Sequence, residues 1–339
     1  MGPGVKRGER QQGTSLRMAV IGCGPIGLLH AEAIARSPYA ELGAVCDRDH
    51  DRAEAASRRF GVKAYLDARE LLEKEPLDGV SAATPDHLHA EVALPALAAS
   101  RHVFCEKPLA GSLEEARRMV EAAAGRGVHL AVNYNRRFAF GYRKARELIA
   151  AGKIGAVDSA VVTVTDQTPW PEVARTPHVI LTNLLTHHID LLRVFAGEVR
   201  SVHALFGKTA PGELVREVVL SFEFAGGAVG AIIAGYRDRQ SRTSERMEIA
   251  GSLGAIAIED ATRRVTLFEK DPDSLASFSP NHFVEGDTFY DTLKAHVEAF
   301  IEQVAAGREP PVTGRDGLRA MEIAAAAVES HRQGRSIEV

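Results

Sequence analysis

From Met18 onward, short apolar runs alternate with longer amphipathic segments. The runs Met18–Ile21, Leu42–Cys46, Val80–Ala83, Val103–Cys105 and Leu130–Val132 read as buried strands, with a weaker one near Ala64. The segments between them have helical periodicity, and two open with capping boxes, Asp67…Glu70 and Ser112…Glu115. Strands that alternate with helices predict right-handed crossovers and a doubly wound parallel sheet covered on both faces. After about Gly155 the period changes. "AVDSAVVTVTD", "EVRSVHALF", "REVVLSFEF", "AVGAIIAGY", "RMEIAG" and "AIAIED" alternate by two, and Gly226-Gly227 marks a hairpin between two of them. The fold class expected is α/β: a parallel sheet first, then an α+β domain with a large mixed, mostly antiparallel sheet. The divisions expected are a poorly ordered 1–17, a first domain over 18–135 and a second over 136–339.

The first strand runs into "GCGPIG", with Gly22, Gly24 and Gly27 in G-x-G-x-x-G spacing around Pro25 and Ile26. The first glycine permits a tight turn, the second lets the backbone approach a pyrophosphate, and the third packs the helix on the strand. Asp47 closes the second strand twenty positions after Gly27, where a carboxylate accepts the adenosine-ribose hydroxyls. This context predicts a Rossmann dinucleotide-binding domain. The Asp47 charge repels a 2′-phosphate and favours NAD; Arg48 beside it keeps NADP as the alternative. Open sheets bind ligands beyond the carboxyl ends of their strands. Thr84, Pro85 and His87 of "ATPDHLHAE", Glu106 and Lys107 of "CEKP", and Asn135 and Arg136 of "NYNRRF" all fall there.

Composition narrows the class. The 339 residues are 45% hydrophobic and 25% charged, with a net charge of −4 and no block of like charge, so neither nucleic acid nor an anionic membrane is the expected partner. No apolar run approaches the roughly 20 residues of a membrane span. The basic "MGPGVKRGERQQGTSLR" before an apolar stretch imitates a signal peptide, but that stretch carries three glycines and no clean cleavage site. Three cysteines without metal-type spacing suit a reducing cytoplasm. His87 and His89, two apart with no third ligand, do not make a metal site. The loop Asp166–His178 around Trp170 reads equally as a substrate-pocket loop or as packed surface.

"AVIGCGPIG", "CD" at Asp47, "ATPDHLHAE", "HVFCEKPLA", "NYNRRF", "HHIDLLRVFAGEV" and "MEIAGSLGAI" together resemble the Gfo/Idh/MocA oxidoreductases over nearly the whole chain. The resemblance implies a cis peptide at Lys107–Pro108, with the lysine near the nicotinamide ribose and the reacting hydroxyl. It also implies face-to-face pairing of the second-domain sheets in a homodimer or homotetramer.

"TNLLTHHIDLLRVF" (Thr182–Phe195) reads as one helix. Asn183, His187 and Asp190 share a face, and His188 is turned about 100° away. The family pattern is Asp-x-x-x-His-x-x-Asp, which places His187 as acid/base. Asn183 stands where the family has aspartate, and Leu185 where it commonly has glycine. A neutral amide orients an imidazole but lends little charge, so proton transfer would lean more on Lys107 or His188.

The function expected is a cytoplasmic NAD-dependent oxidoreductase. It would interconvert a secondary alcohol and a ketone on a sugar, inositol or related polyol. Lys107 would polarise the substrate oxygen and His187, oriented by Asn183, would exchange its proton. Two alternatives remain open: a redox-neutral sugar-processing enzyme that retains NAD, and a non-catalytic dinucleotide-binding regulator.

Overall fold

The computed structural model describes residues 15–169, 176–207, 210, 213–237, 244–270, 274–280 and 288–339. These form two compact units: Met1–Asn133 with Leu293–Arg315, and Tyr134–Thr292 with Asp316–Val339.

The first unit runs β1 (Leu16–Ile21), α1 (Pro25–Arg36), β2 (Ala40–Cys46), α2 (His50–Phe60), β3 (Lys63–Tyr65), α3 (Ala68–Lys74), β4 (Gly79–Ala82), α4 (His89–Ala98), β5 (His102–Cys105), α5 (Leu113–Arg126) and β6 (Leu130–Val132). Among the described residues its sheet has six strands in the order β3-β2-β1-β4-β5-β6, all parallel. That is a doubly wound order, with the ligand crevice at the strands' carboxyl ends. Both expected N-caps form: Asp67 accepts from the Arg69 and Glu70 N–H groups, and the Glu115 N–H donates to Ser112 Oγ at 3.2 Å. The first strand starts two residues before Met18. The Arg17 N–H donates to Asp78 at 2.7 Å and its guanidinium to Glu75 at 2.9 Å, which explains the earlier start. Residues 1–14 lie outside the described residues.

The second unit contains α6 (Phe140–Ala150), β7 (Val157–Asp166), α7 (Thr186–Ala196), β8 (Val199–Phe206), β9 (Glu217–Phe224), β10 (Val229–Tyr236), β11 (Ser244–Gly251), β12 (Gly254–Glu259), β13 (Arg264–Glu269) and β14 (Leu275–Phe278). With the terminal β15 (Ile337–Glu338), its nine described strands follow the order β14-β13-β12-β11-β7-β10-β9-β8-β15. Only β10 with β7 is parallel among the pairs of this sheet. Gly227, at φ +89°, makes the turn between β9 and β10. One face of the sheet is buried; the other presents Val161, Val219, Val229 and Ile233 to solvent, with Ile233 directly opposite Val219.

A division at residue 135 would leave α8 (Phe289–Ala305) with the second half. Its stripe Leu293, Val297, Phe300, Ile301 and Val304 instead lies in the first unit's core with Met18, Val20, Ile34 and Phe104. The i, i+4, i+7, i+8 spacing sets that face, and each fully buried large side chain contributes about 1.5–3 kcal/mol. The helix Gly314–Gln333 (α9) follows it.

Candidate active site

The glycine loop is built as its spacing requires. Gly22 sits at φ +99°, and a Cβ there would stand 2.4 Å from the Ala83 carbonyl oxygen. A Cβ on Gly27 would stand 1.8 Å from the Gly22 oxygen, so α1 packs on β1 only with glycine at this position. A Cβ on Gly24 would meet nothing within 4 Å. Pro25 opens α1 and no side chain caps it, which leaves its first-turn N–H donors to an anion. Ile26 packs against the core. Open space at the second glycine and an uncapped helix start fit a pyrophosphate.

Asp47 follows β2. Its Oδ2 accepts the Cys23 N–H at 2.7 Å and its Oδ1 the Asp49 N–H at 2.9 Å, so the carboxylate is fixed against the glycine loop itself. Arg48 does not stand free beside it: its guanidinium pairs with Glu91 on α4.

Beyond β4 the Thr84 hydroxyl is buried and, among the described residues, has no hydrogen-bond partner. Pro85 precedes the 3₁₀ turn Asp86–Leu88, and His87 is its central residue. His89, read with His87 only as a failed metal pair, is buried with Nε2 2.9 Å from the Thr84 carbonyl and Nδ1 2.8 Å from that of Pro108. Burial lowers its pKa, and a neutral ring donates to only one of the two carbonyls. His89 thereby ties the end of β4 to the segment after β5. Among the described residues no cluster of three metal-ligating groups occurs.

The Lys107–Pro108 bond is cis. Beside it, Glu106 turns its carboxylate inward. Its Oε1 lies 3.1 Å from His30 Nε2 and accepts from Asn133 Nδ2 at 2.5 Å; its Oε2 accepts the Lys107 N–H at 3.2 Å. Burial alone would raise this carboxyl, but the His30 and Asn133 contacts and the Lys107 charge outweigh it and hold it at about 2.

In the second unit the histidine segment is not one α-helix. Ile180–Leu184 forms a π-turn, closed by the Leu185 N–H on the Ile180 carbonyl at 3.0 Å, and α7 begins only at Thr186. Asn183 therefore lies in a wider turn than His187, and α-helical spacing does not relate the two. π-turns of this kind occur frequently at functional sites. The Asn183 amide engages the Tyr236 hydroxyl, whose pKa burial raises. His187 is buried, with the Tyr134 ring edge-on at 5.5 Å between centroids. Asp190 holds Arg137 through Nε at 2.7 Å and Nη2 at 2.5 Å.

His188 is also fully buried. Its Nδ1 lies 3.1 Å from the Leu184 carbonyl and its Nε2 3.2 Å from Glu245. Glu245 also takes the Arg136 guanidinium and the Tyr142 hydroxyl. Burial would raise Glu245, but Arg136, His188 and Tyr142 hold it at about 2. Arg136 and Asn135, read from sequence as cofactor ligands, are thus engaged inside the second unit, Asn135 donating to Thr292 Oγ1 at 2.8 Å. Sequence reasoning missed His30, His89, Asn133, Glu245, Tyr236 and His296. Asn133 was in plain view at the start of "NYNRRF"; for Glu245, on an alternating strand, no local signal existed. Trp170 lies outside the described residues.

Residues 16–134 match the model of an oxidoreductase family with an NAD-binding Rossmann fold, and residues 142–257 match the GFO/IDH/MocA C-terminal domain. Myo-inositol 2-dehydrogenase of Thermotoga maritima is 30% identical over 332 residues, covering 96% of this chain and 98% of that protein. The chain belongs to the Gfo/Idh/MocA family. Another Gfo/Idh/MocA relative, the scyllo-inositol 2-dehydrogenase (NAD(+)) of Bacillus subtilis, is 29% identical with 96% of each chain covered. Levoglucosan dehydrogenase, solved with NADH and levoglucosan, superposes at a TM-score of 0.86 and 25% identity over 96% of this chain and 99% of that one. This Gfo/Idh/MocA chain is therefore an oxidoreductase with an NAD-binding domain, and among its described residues no helix is long and apolar enough to cross a membrane.

Proposed function

We propose that the protein is an NAD-dependent dehydrogenase interconverting a secondary alcohol and a ketone on a sugar, inositol or related cyclic polyol. The observation that carries this is the glycine loop with Asp47 fixed to its Cys23 N–H, a dinucleotide cradle in a chain whose relatives are inositol and sugar dehydrogenases. NAD, when bound, supplies the hydride acceptor. Gly22, Gly24, Pro25, Ile26 and Gly27 hold its pyrophosphate, and Asp47 the adenosine ribose. Lys107 donates from its ammonium to the substrate oxygen and favours the negative charge that grows there as the carbon–hydrogen bond breaks. His187 takes the hydroxyl proton in oxidation and returns it in reduction, in a buried setting that keeps water from competing.

Asp47 supports NAD over NADP. The solvent-facing apolar positions of the nine-stranded sheet support assembly of like chains through that face; sedimentation as a monomer would overturn this part. The three cysteines are free and buried, in keeping with a reducing compartment.

The direct experiment is a panel of inositols, sugars and cyclic diols with NAD and NADP, followed by absorbance of reduced nicotinamide. Turnover of at least one cyclic polyol with NAD is expected. Inertness across the panel, with no product formed even from protein-bound cofactor, would favour a regulatory protein.

A further inference from the structure

The first unit contains a buried polar chain outside the roles assigned above. Ser81 Oγ lies 2.7 Å from His30 Nδ1, and His30 Nε2 lies 3.1 Å from Glu106 Oε1. Asn133 Nδ2 donates to the same Oε1 at 2.5 Å, and Asn133 Oδ1 lies 2.9 Å from His296 Nδ1 on α8. Ser81, His30 and His296 have no exposed surface, and Asn133 is 2% exposed. The two imidazoles flank the Phe104 ring edge to face, at 5.4 and 5.0 Å. Serine, histidine and glutamate in this order imitate a hydrolase triad, but a sealed Ser81 cannot meet a substrate.

The proton positions follow from the ends of the chain. Glu106, held ionised, only accepts. His30 must then donate from Nε2, and in its neutral form its Nδ1 accepts from the Ser81 hydroxyl. Asn133 spends Nδ2 on Glu106, so its Oδ1 faces His296 as an acceptor and His296 donates from Nδ1. Two donors, His30 Nε2 and Asn133 Nδ2, meet on one carboxylate oxygen, Ser81 and His296 donate in turn to those two side chains, and the other carboxylate oxygen takes the Lys107 N–H. A charge withdrawn from water is tolerated when its hydrogen-bonding sites are filled, and this carboxylate is filled by His30 on α1, Asn133 at the end of β6 and the Lys107 N–H after β5.

We propose that His30, with Asn133 anchored by His296, is a positioning residue: it clamps Glu106 and thereby fixes where Lys107 stands and what charge its ammonium faces. This rests on Lys107 acting on the substrate oxygen, although the clamp itself is testable without turnover.

The test compares His30→Leu, which removes both imidazole contacts, with His30→Gln, whose Nε2 can still reach Glu106. Apo-protein is treated with a lysine acylating reagent, and labelling is mapped peptide by peptide. In His30→Leu, Lys107 should label several-fold faster than in wild type while the other lysines keep their rates, and His30→Gln should restore the wild-type rate. In turnover, His30→Leu should lose roughly 10- to 100-fold in kcat, the cost of about 1 Å of misplacement, with KM and NAD affinity within about two-fold, and His30→Gln should recover most of it. If His30→Leu does not fold, Glu106→Gln keeps the volume and carries the same labelling expectation. Unchanged Lys107 labelling in a folded His30→Leu, or in Glu106→Gln, overturns the proposal. If labelling changes but Lys107→Ala turns over normally, the clamp stands and the role of Lys107 in catalysis falls.

Discussion

The Asp47 carboxylate accepts the Cys23 backbone N–H at 2.7 Å, so the end of the second strand is bonded to the middle of the glycine loop. The group read as the ribose acceptor and the loop read as the phosphate cradle thus share one rigid frame, and a change at Asp47 should be felt at both. Asp47→Ala should weaken NAD binding by roughly 10- to 100-fold, the worth of hydrogen bonds to a charged group, and should improve NADP binding. Glu91→Ala should add to the NADP gain by releasing Arg48 from its ion pair. The pair is exposed, so the gain should be only a few-fold. Titration calorimetry with each dinucleotide reads both effects; an NADP affinity that moves in neither variant would remove Asp47 and Arg48 from cofactor choice.

Lys107→Ala should fold and bind NAD like wild type yet lose roughly 10²–10³-fold in kcat, as the removal of one donor to a developing oxyanion does. Circular dichroism and NAD titration control for the fold. A variant with near-normal turnover would show that the ammonium serves something other than the substrate.

His187 and His188 should separate kinetics from stability. His187→Ala should lose roughly 10²–10⁴-fold in the chemical step while keeping NAD affinity. His188→Ala removes one partner of the buried Glu245 carboxylate, which keeps Arg136 and Tyr142, and losing a hydrogen bond to a charged group costs about 1.5–3 kcal/mol. Denaturant midpoints and single-turnover rates should therefore rank the variants in opposite orders. Equal kinetic losses with unchanged midpoints would contradict the assignment.

Acid should unfold the protein through two carboxylates held in internal hydrogen-bond networks. Glu106 and Glu245 are held at about 2, below the ordinary 4.5. A depressed folded pKa gives stability that is complete above the unfolded value and disappears as pH falls through the folded one. Urea midpoints of wild type should therefore drop between about pH 4.5 and 2. Glu106→Gln/Glu245→Gln should start lower and fall less across that window. Parallel pH dependences in the two proteins would show that other groups control acid unfolding.

The alternation of strands and helices, the glycine loop, the place of Asp47 at the end of the second strand and the cis bond before Pro108 were legible because each depends on a local rule or on a resemblance to known motifs. α8 was not. Its stripe Leu293–Val304 is an ordinary amphipathic pattern, and nothing within it says which sheet it covers. The helix face at Asn183 and His187 was drawn on α-helical spacing, which the π-turn Ile180–Leu184 breaks; five-residue closure leaves no mark on hydrophobic periodicity. His188 read only as a histidine turned about 100° from the His187 face, because its partner Glu245 is 57 residues away in sequence, just ahead of the expected strand that begins at Arg246. The same holds for His30 and Glu106: each was visible, but the bond between them is a product of the fold.

Hydride transfer to NAD from a cyclic polyol is tested most directly with a substrate from the panel deuterated at the reacting carbon. The reduced nicotinamide recovered after one turnover should carry the deuterium at its C4, with the ketone formed in equal amount, and Lys107→Ala should form the same labelled product roughly 10²–10³-fold more slowly. Deuterium retained in the organic product, with no reduced nicotinamide released to solution, would contradict a dehydrogenase and point to chemistry that returns the hydride to its substrate.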